Sequence, residues 1–204
     1  MTTEVLTLSP DMAGFEQILN DEMPPPSPTG AIQVSGRLGN RWRLVMTWQN
    51  LLGDRRKTLS AHAIQLNGRI NRLQVPLSLL GYTRTGLGGG TPLLQGAHSA
   101  GARSLTVDGA SINITNWLAK DDRITVGNQL LYIAQNVNTN GSGVATIPIW
   151  PELHLDFADN SPVEITSPYG VFFLRDPIAL PMSAAVGDFL SESIVLSLEE
   201  DVLL

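Results

Sequence analysis

The residues that could do chemistry are few. Histidine occurs three times, as His62, His98 and His154, and cysteine is absent. Without cysteine there is no thiolate nucleophile, no disulfide and no thiolate metal site. His62 falls on a predicted helix with no second histidine or carboxylate one turn away, so a helical two-histidine metal site is absent. No Gly-x-Ser-x-Gly nucleophile turn occurs. Carboxylates gather at Asp121-Asp122, at Asp156 with Asp159, and at Glu199-Glu200-Asp201. A glycosidase needs two of them facing each other across a cleft, and no spacing here favours that. Asp121-Asp122 reads as turn chemistry before a strand. Asp156 to Asn160 resembles a calcium loop only loosely. The sequence therefore predicts no catalytic residue, no metal, no cofactor and no enzyme.

Two further patterns suggest binding. Gly86-Leu87-Gly88-Gly89-Gly90-Thr91 looks like a phosphate loop. It lacks the lysine and the following helix that such a loop requires, so an interdomain connector is the expectation. Arg37, Arg41 and Arg43 lie near Trp42 and Trp48, as in nucleic-acid stacking surfaces. Strand alternation puts the tryptophans on the face opposite the arginines. The reading is tryptophans in a core and Arg37, Arg41 and Arg43 on a polar, subunit-facing surface. For sugar stacking, the candidates are Trp117 and Trp150; Tyr132 alternates as a core residue.

The elements that would carry these residues are mostly strands. Residues 11–19 carry a weak helical pattern after Ser9-Pro10. Residues 21–30, with four prolines, predict an extended arm. Ile32, Val34 and Gly36, then Trp42, Leu44, Met46 and Trp48, alternate about Gly39-Asn40 and predict a hairpin. One helix is predicted from Asp54 to Asn67-Gly68, with an apolar stripe of Leu59, Ala63, Leu66 and Ile70. Residues 73–80 read as a strand that Pro76 demotes to an edge or bulge. Residues 83–103 read as a long glycine-rich connector. Short strands then recur every ten residues or so, around Leu105, Ile124, Leu130, Ile147 and Val163, as in a small barrel. Val171–Leu174 and Ile194–Leu198 are strands again, flanking a loop at 183–187. The predicted organisation is a discontinuous β-rich domain, 1–95 and 166–204, with a small barrel inserted at 96–165.

Composition sets the outer limits. The chain has 204 residues, 16% charged and 43% hydrophobic, with a formal charge of −6. Clustered basic residues for gripping a polyanion are missing. No apolar run reaches the ~18 residues of a membrane span. The N-terminus, Met1 to Leu6, lacks a basic region and a long apolar run, which predicts no leader.

The order of these pieces carries a resemblance. The hairpin, helix, strand and glycine-rich connector lead to Gly101-Ala102-Arg103-Ser104-Leu105-Thr106-Val107-Asp108-Gly109. Then come Asp121-Asp122-Arg123-Ile124-Thr125-Val126, Leu131-Tyr132-Ile133, and Gly143-Val144-Ala145-Thr146-Ile147-Pro148-Ile149-Trp150-Pro151-Glu152-Leu153. This resembles the distal tail proteins of long, non-contractile-tailed bacteriophages, in order and size over nearly the whole chain. Asp121 stands where that family usually has glycine, and the proline arm has no place in the pattern. The resemblance implies a mainly β fold: a tail-tube-like β-sandwich with one flanking helix and a long hairpin, plus an inserted barrel of the oligonucleotide/oligosaccharide-binding type. It implies a virion structural protein at the tail tip or baseplate, assembled in the host cytoplasm. Its subunits would form a hexameric ring joining the tail-tube protein to hub or tip proteins, with a hole through which DNA passes without specific binding. No membrane is implied. Two alternatives stay open: a carbohydrate-binding module contacting host surface glycan, and another tail component such as a tube subunit, adaptor or hub protein.

Overall fold

A computed structural model describes residues 2–22, 35–49, 51, 53–176 and 193–201. The chain is mainly β. In order the elements are β1 (Thr3–Val5), β2 (Met12–Ile18), β3 (Asp21–Glu22), β4 (Ser35–Gly36), β5 (Arg41–Trp48), helix α1 (Gly53–Leu66), β6 (Arg72–Pro76) and a 3-10 turn (Leu77–Leu80). They continue as β7 (Gly90–Leu94), β8 (Ser104–Ala110), β9 (Arg123–Val126), β10 (Gln129–Ile133), β11 (Ala145–Trp150), β12 (Val163–Glu164), β13 (Tyr169–Leu174) and β14 (Ile194–Glu200). Two six-stranded sheets result, ordered β1-β6-β13-β14-β5-β2 and β12-β9-β10-β11-β8-β7.

The first sheet is antiparallel except where β1 joins β6 in parallel. In β5 burial alternates residue by residue: Trp42, Leu44, Met46 and Trp48 are buried, while the residues between them are half-buried. This is the expected period of two, with the tryptophans opposite Arg41 and Arg43. The buried face meets Leu59 and Leu66 of α1, Leu73 and Val75 of β6, Phe172, and Leu196 and Leu198.

The second sheet is antiparallel throughout. Its outer strands meet through a bridge between Leu93 and Pro162, flanked by Leu94 N–H to Ser161 O at 2.8 Å and Asn160 N–H to Leu94 O at 2.9 Å. The sheet is thereby nearly closed into a barrel around Leu105, Val107, Trp117, Ile124, Leu131 and Ile147. Pairing its edges in this way removes most of the exposed strand edge. Strand β10 is buried on both sides. Leu131 and Ile133 fill the barrel, while Leu130 and Tyr132 pack into the core of the first sheet.

Several local expectations are corrected. Residues 12–18 form a strand, not part of a helix, because all seven pair with β5; the tertiary ladder outweighs a weak helical pattern. Asp11 immediately precedes this strand. Its carboxylate accepts from Gln49 N–H at 2.7 Å and lies 3.2 Å from Arg55. The helical stripe is Leu59, His62 and Leu66, and Ile70 is exposed because the helix has already ended. Pro76 lies in an internal strand. It is the last residue of β6, past the point where β1 stops pairing at Gln74. The second sheet begins at Gly90 rather than at residue 96, inside the expected connector. There Gly90 has a φ of +85°, and a Cβ would sit 2.3 Å from Gly109 O, so only glycine allows that close approach. Asp121, where the resemblance expects glycine, has a φ of +77°, a conformation glycine adopts at least cost.

In the described residues Ser35–Gly36 pairs with Asp21–Glu22, and the neighbours of β5 are β14 and β2. The remainder of the proline arm, Ile32, Val34 and the 183–187 loop lie outside the described residues.

Candidate functional site

The exposed face of the first sheet gathers most of its charge in one place. Alternation along β5 puts Arg41 and Arg43 on this face, and alternation along β14 adds Glu199. The register sets Glu16, Arg43, Glu199 and Phe173 side by side across four strands. Arg43 lies 3.1 Å from Glu16 and 3.7 Å from Glu199. Arg41 lies 3.2 Å from Glu199, and Arg175 lies 3.4 Å from it. Three guanidinium groups thus surround one largely buried carboxylate. Arg72 pairs with Asp201 and stacks over Phe173 at 5.3 Å. Of the expected interface residues, Arg41 and Arg43 are brought together here. Arg37 is exposed in the loop before β5, with its amide N–H on Asn20 O at 2.9 Å. The sequence left Glu199, Asp201, Arg72 and Arg175 unassigned, although the period of two in β14 already put Glu199 opposite Leu198.

The same period puts Glu200 on the inner face, where it is fully buried. Its Oε1 accepts Leu130 N–H of the barrel at 2.7 Å, and its Oε2 accepts Trp42 N–H of the first sheet at 3.2 Å. Burial pushes its pKa up to about 8, against the opposing pull of those two amides and of Arg41. Next to it, Trp42 Nε1–H donates to Leu130 O at 3.1 Å, and Trp150 meets Trp42 edge to face at 4.5 Å. His154 Nε2 lies 2.6 Å from Asn40 O; only a donor can face a carbonyl, so Nε2 carries the proton. Its Nδ1 is buried without a partner, and burial holds the ring below its ordinary pKa. Asn40 also donates to Glu152 at 3.1 Å. The two sheets are therefore joined by a polar and aromatic seam.

The remaining candidates have structural positions. Thr7 Oγ1 lies 3.0 Å from His62 Nε2, which also accepts the Thr7 amide at 3.4 Å. Glu4 is 3.7 Å from Nδ1, beyond a hydrogen bond. The order hydroxyl, imidazole, carboxylate resembles an acyl-transfer relay, but His62 is buried and its Nδ1 has no hydrogen-bond partner. The contact ties the segment after β1 to α1. His98 lies between Gly96 O and Thr106 N–H, both at 3.0 Å. Asp156 and Asp159 accept from Ala100 N–H and Gly96 N–H, each at 2.7 Å. Among the described residues no group of three or more histidine or acidic side chains is arranged to hold a metal ion.

The glycine-rich stretch has no free cradle of amides. Asp122, 1% exposed, accepts from the amides of Thr85, Gly86 and Ala119 and from the Thr85 hydroxyl, at 2.8–3.0 Å. Leu87 N–H and Gly88 N–H donate to Asn116 O and Trp117 O. A Cβ on Gly86 would lie 2.7 Å from Leu118 Cα and from Trp117 O. Trp117 itself is fully buried in the barrel core, with Nε1–H on Gly89 O at 2.9 Å. This corrects the expectation that it could stack on a sugar, since no face of its ring is accessible. Trp150 is half-buried against Trp42 in the seam and offers no open platform either.

No protein-family model matches the chain, and no curated protein sequence matches it.

Proposed function

We propose that the chain is a virion structural protein: a ring-forming subunit at the distal end of a phage tail, between the tube and the tip or hub. One observation carries this reading. Strands β6 and β13 are direct neighbours in the first sheet, and every strand of the second sheet lies between them in sequence. A sheet interrupted by a barrel at that point is the arrangement the family resemblance implies. The barrel favours a distal ring over a plain tube subunit. The acidic net charge suits a channel through which DNA slides, because a basic lining would hold the phosphates.

In this reading the Arg41, Arg43 and Arg175 cluster faces the neighbouring subunit. Its outer members keep enough exposure to exchange Glu16 for a carboxylate across the interface. A closed ring uses heterologous contacts, and a permanent one buries about 1,600 Å² or more at each. Mass photometry and negative-stain imaging of the purified protein test the proposal. A ring or hexamer is expected, dissociating in the Arg43→Glu variant. A strict monomer at high concentration that does not bind tail-tube ends overturns it.

A further inference from the structure

Asn-Gly occurs twice in the chain, as Asn67-Gly68 after α1 and as Asn140-Gly141 between β10 and β11. Neither pair has a part in the function proposed above. The dipeptide carries a latent reaction. The backbone nitrogen that follows an asparagine is held within reach of its side-chain Cγ, and attack there closes a five-membered ring. Glycine obstructs that attack least, because it has no Cβ to crowd the approach. Both residues of both pairs are exposed, so sequence and accessibility alone would give the two sites equal rates.

Hydrogen bonding separates them. Asn140 Oδ1 accepts Ser142 N–H and Val144 N–H, each at 2.9 Å. The Asn140 carbonyl accepts Asn113 N–H at 3.0 Å and Gly143 N–H at 3.1 Å, and its own N–H donates to Val144 O at 3.1 Å. Ring closure at Asn140 must swing the side chain out of this turn and break both bonds to Oδ1. Asn67 is not held in this way. Its side chain makes no hydrogen bond to the described residues, and neither does the Gly68 N–H that would attack it. Its carbonyl accepts Ile70 N–H at a long 3.4 Å. A Cβ on Gly68 would meet nothing within 4 Å, so this peptide is free to turn.

We propose that Asn67-Gly68 is a site of spontaneous deamidation in the folded protein, and that the turn at Asn140 shields the same dipeptide there. Gly68 N loses its proton to base and bonds to Asn67 Cγ. The Cγ–Nδ2 bond breaks, and Nδ2 takes a proton and leaves as ammonia, which yields a cyclic imide. Water adds to one of the two imide carbonyls and opens the ring as aspartate or isoaspartate. One water is consumed, one ammonia is released, and nothing is oxidised. Isoaspartate lengthens the main chain by one methylene between α1 and β6. That insertion falls under the turn that sets Asn71 N–H on Leu66 O at 3.1 Å and Asn71 Nδ2–H on Gln65 O at 2.7 Å. Either product puts a negative charge at the C-terminal end of α1, the unfavourable end of the helix dipole. The reaction is independent of the ring reading.

The test is timed peptide mapping by mass spectrometry of the full chain at mildly alkaline pH, with the guanidinium-unfolded chain as reference. Unfolded, the two sites should convert at similar rates. Folded, Asn67 should convert within a few-fold of its unfolded rate, and Asn140 roughly tenfold or more slower than Asn67, the effect of two hydrogen bonds on a barrier. Enzymatic methylation of isoaspartate should label residue 67. Asn67→Gln, whose longer side chain would have to close a six-membered ring, should abolish the rapid phase of ammonia release. Equal rates at the two sites in the folded chain would overturn the proposal. So would an Asn67 that stays intact while its unfolded counterpart converts, or a rapid phase that survives in the variant.

Discussion

Raising the pH from 5 to 8 should weaken the fold, and Glu200 should be the cause. Its carboxyl is fully buried, and burial raises its pKa from 4.5 to about 8. Between those values the unfolded chain carries an ionised Glu200 and the folded chain a protonated one. The unfolded state then binds fewer protons, so stability falls as pH rises, by up to about 1.4 kcal/mol per unit. Below pH 4.5 the contribution is fully present; above pH 8 it is lost. Integrated from pH 5 to 8, the loss is roughly 3–4 kcal/mol, a large part of the stability of a small protein. Glu200→Gln removes the titration. Its amide nitrogen must oppose either Trp42 N–H or Leu130 N–H, which costs about 1–3 kcal/mol at pH 5. Its curve should nevertheless lack the wild-type decline, so the two curves converge as pH rises. Urea denaturation followed by tryptophan fluorescence, at constant ionic strength, measures both. The histidines cancel in the difference between the proteins. Parallel curves across this range would refute the reasoning: the two amides and Arg41 would then outweigh burial and keep the carboxylate ionised.

Other perturbations have defined outcomes. Asp122→Ala leaves three backbone amides without their acceptor and should cost about 3–5 kcal/mol by urea denaturation. Glu199→Gln leaves Arg41, Arg43 and Arg175 without their shared counter-charge. It should cost about 1–2 kcal/mol at low salt and less near 1 M salt, where the screening length is about 3 Å; a salt-independent loss would contradict this. His154 is held below its ordinary pKa of 6.5 by burial. The unfolded chain therefore takes up a proton first as pH falls below 6.5, and the fold weakens until the folded pKa is reached. His154→Gln should reduce that acid sensitivity, read as a smaller shift of the denaturation midpoint between pH 6.5 and 5.

The sequence exposed what strict periodicity exposes. The alternation of Trp42, Leu44, Met46 and Trp48 against Arg41 and Arg43 is written in their order, and so are the short strands from Ser104 to Glu164. The helix end at Asn67-Gly68 is legible because both residues tolerate positive φ, which they show at +47° and +67°. Strand β2 was hidden because its identity comes from pairing with β5, a contact distant in sequence. Strand β7 was hidden by glycines that resemble a linker until Gly109 is placed beside Gly90. His62 completes the buried stripe of α1 with Leu59 and Leu66, a place that helical spacing allows but an imidazole does not signal. Glu200 was recoverable: continuing the alternation of β14 past Leu198 puts it on the core face. Its partners were not, because Leu130 belongs to the other sheet.

The adjacency of Leu77 and Pro168, with Leu77 N–H on Pro168 O at 3.0 Å, has an evolutionary reading. A module that departs and comes back through neighbouring residues can be swapped as a cassette, because a short splice restores the host strand order. The aromatic and carboxylate seam limits that freedom. Excision would strip Trp42 of its indole acceptor and leave Glu200 with one amide instead of two. A transplanted replacement would have to bring its own counterparts to Leu130, Tyr132 and Trp150. The topology is modular; the packing is not.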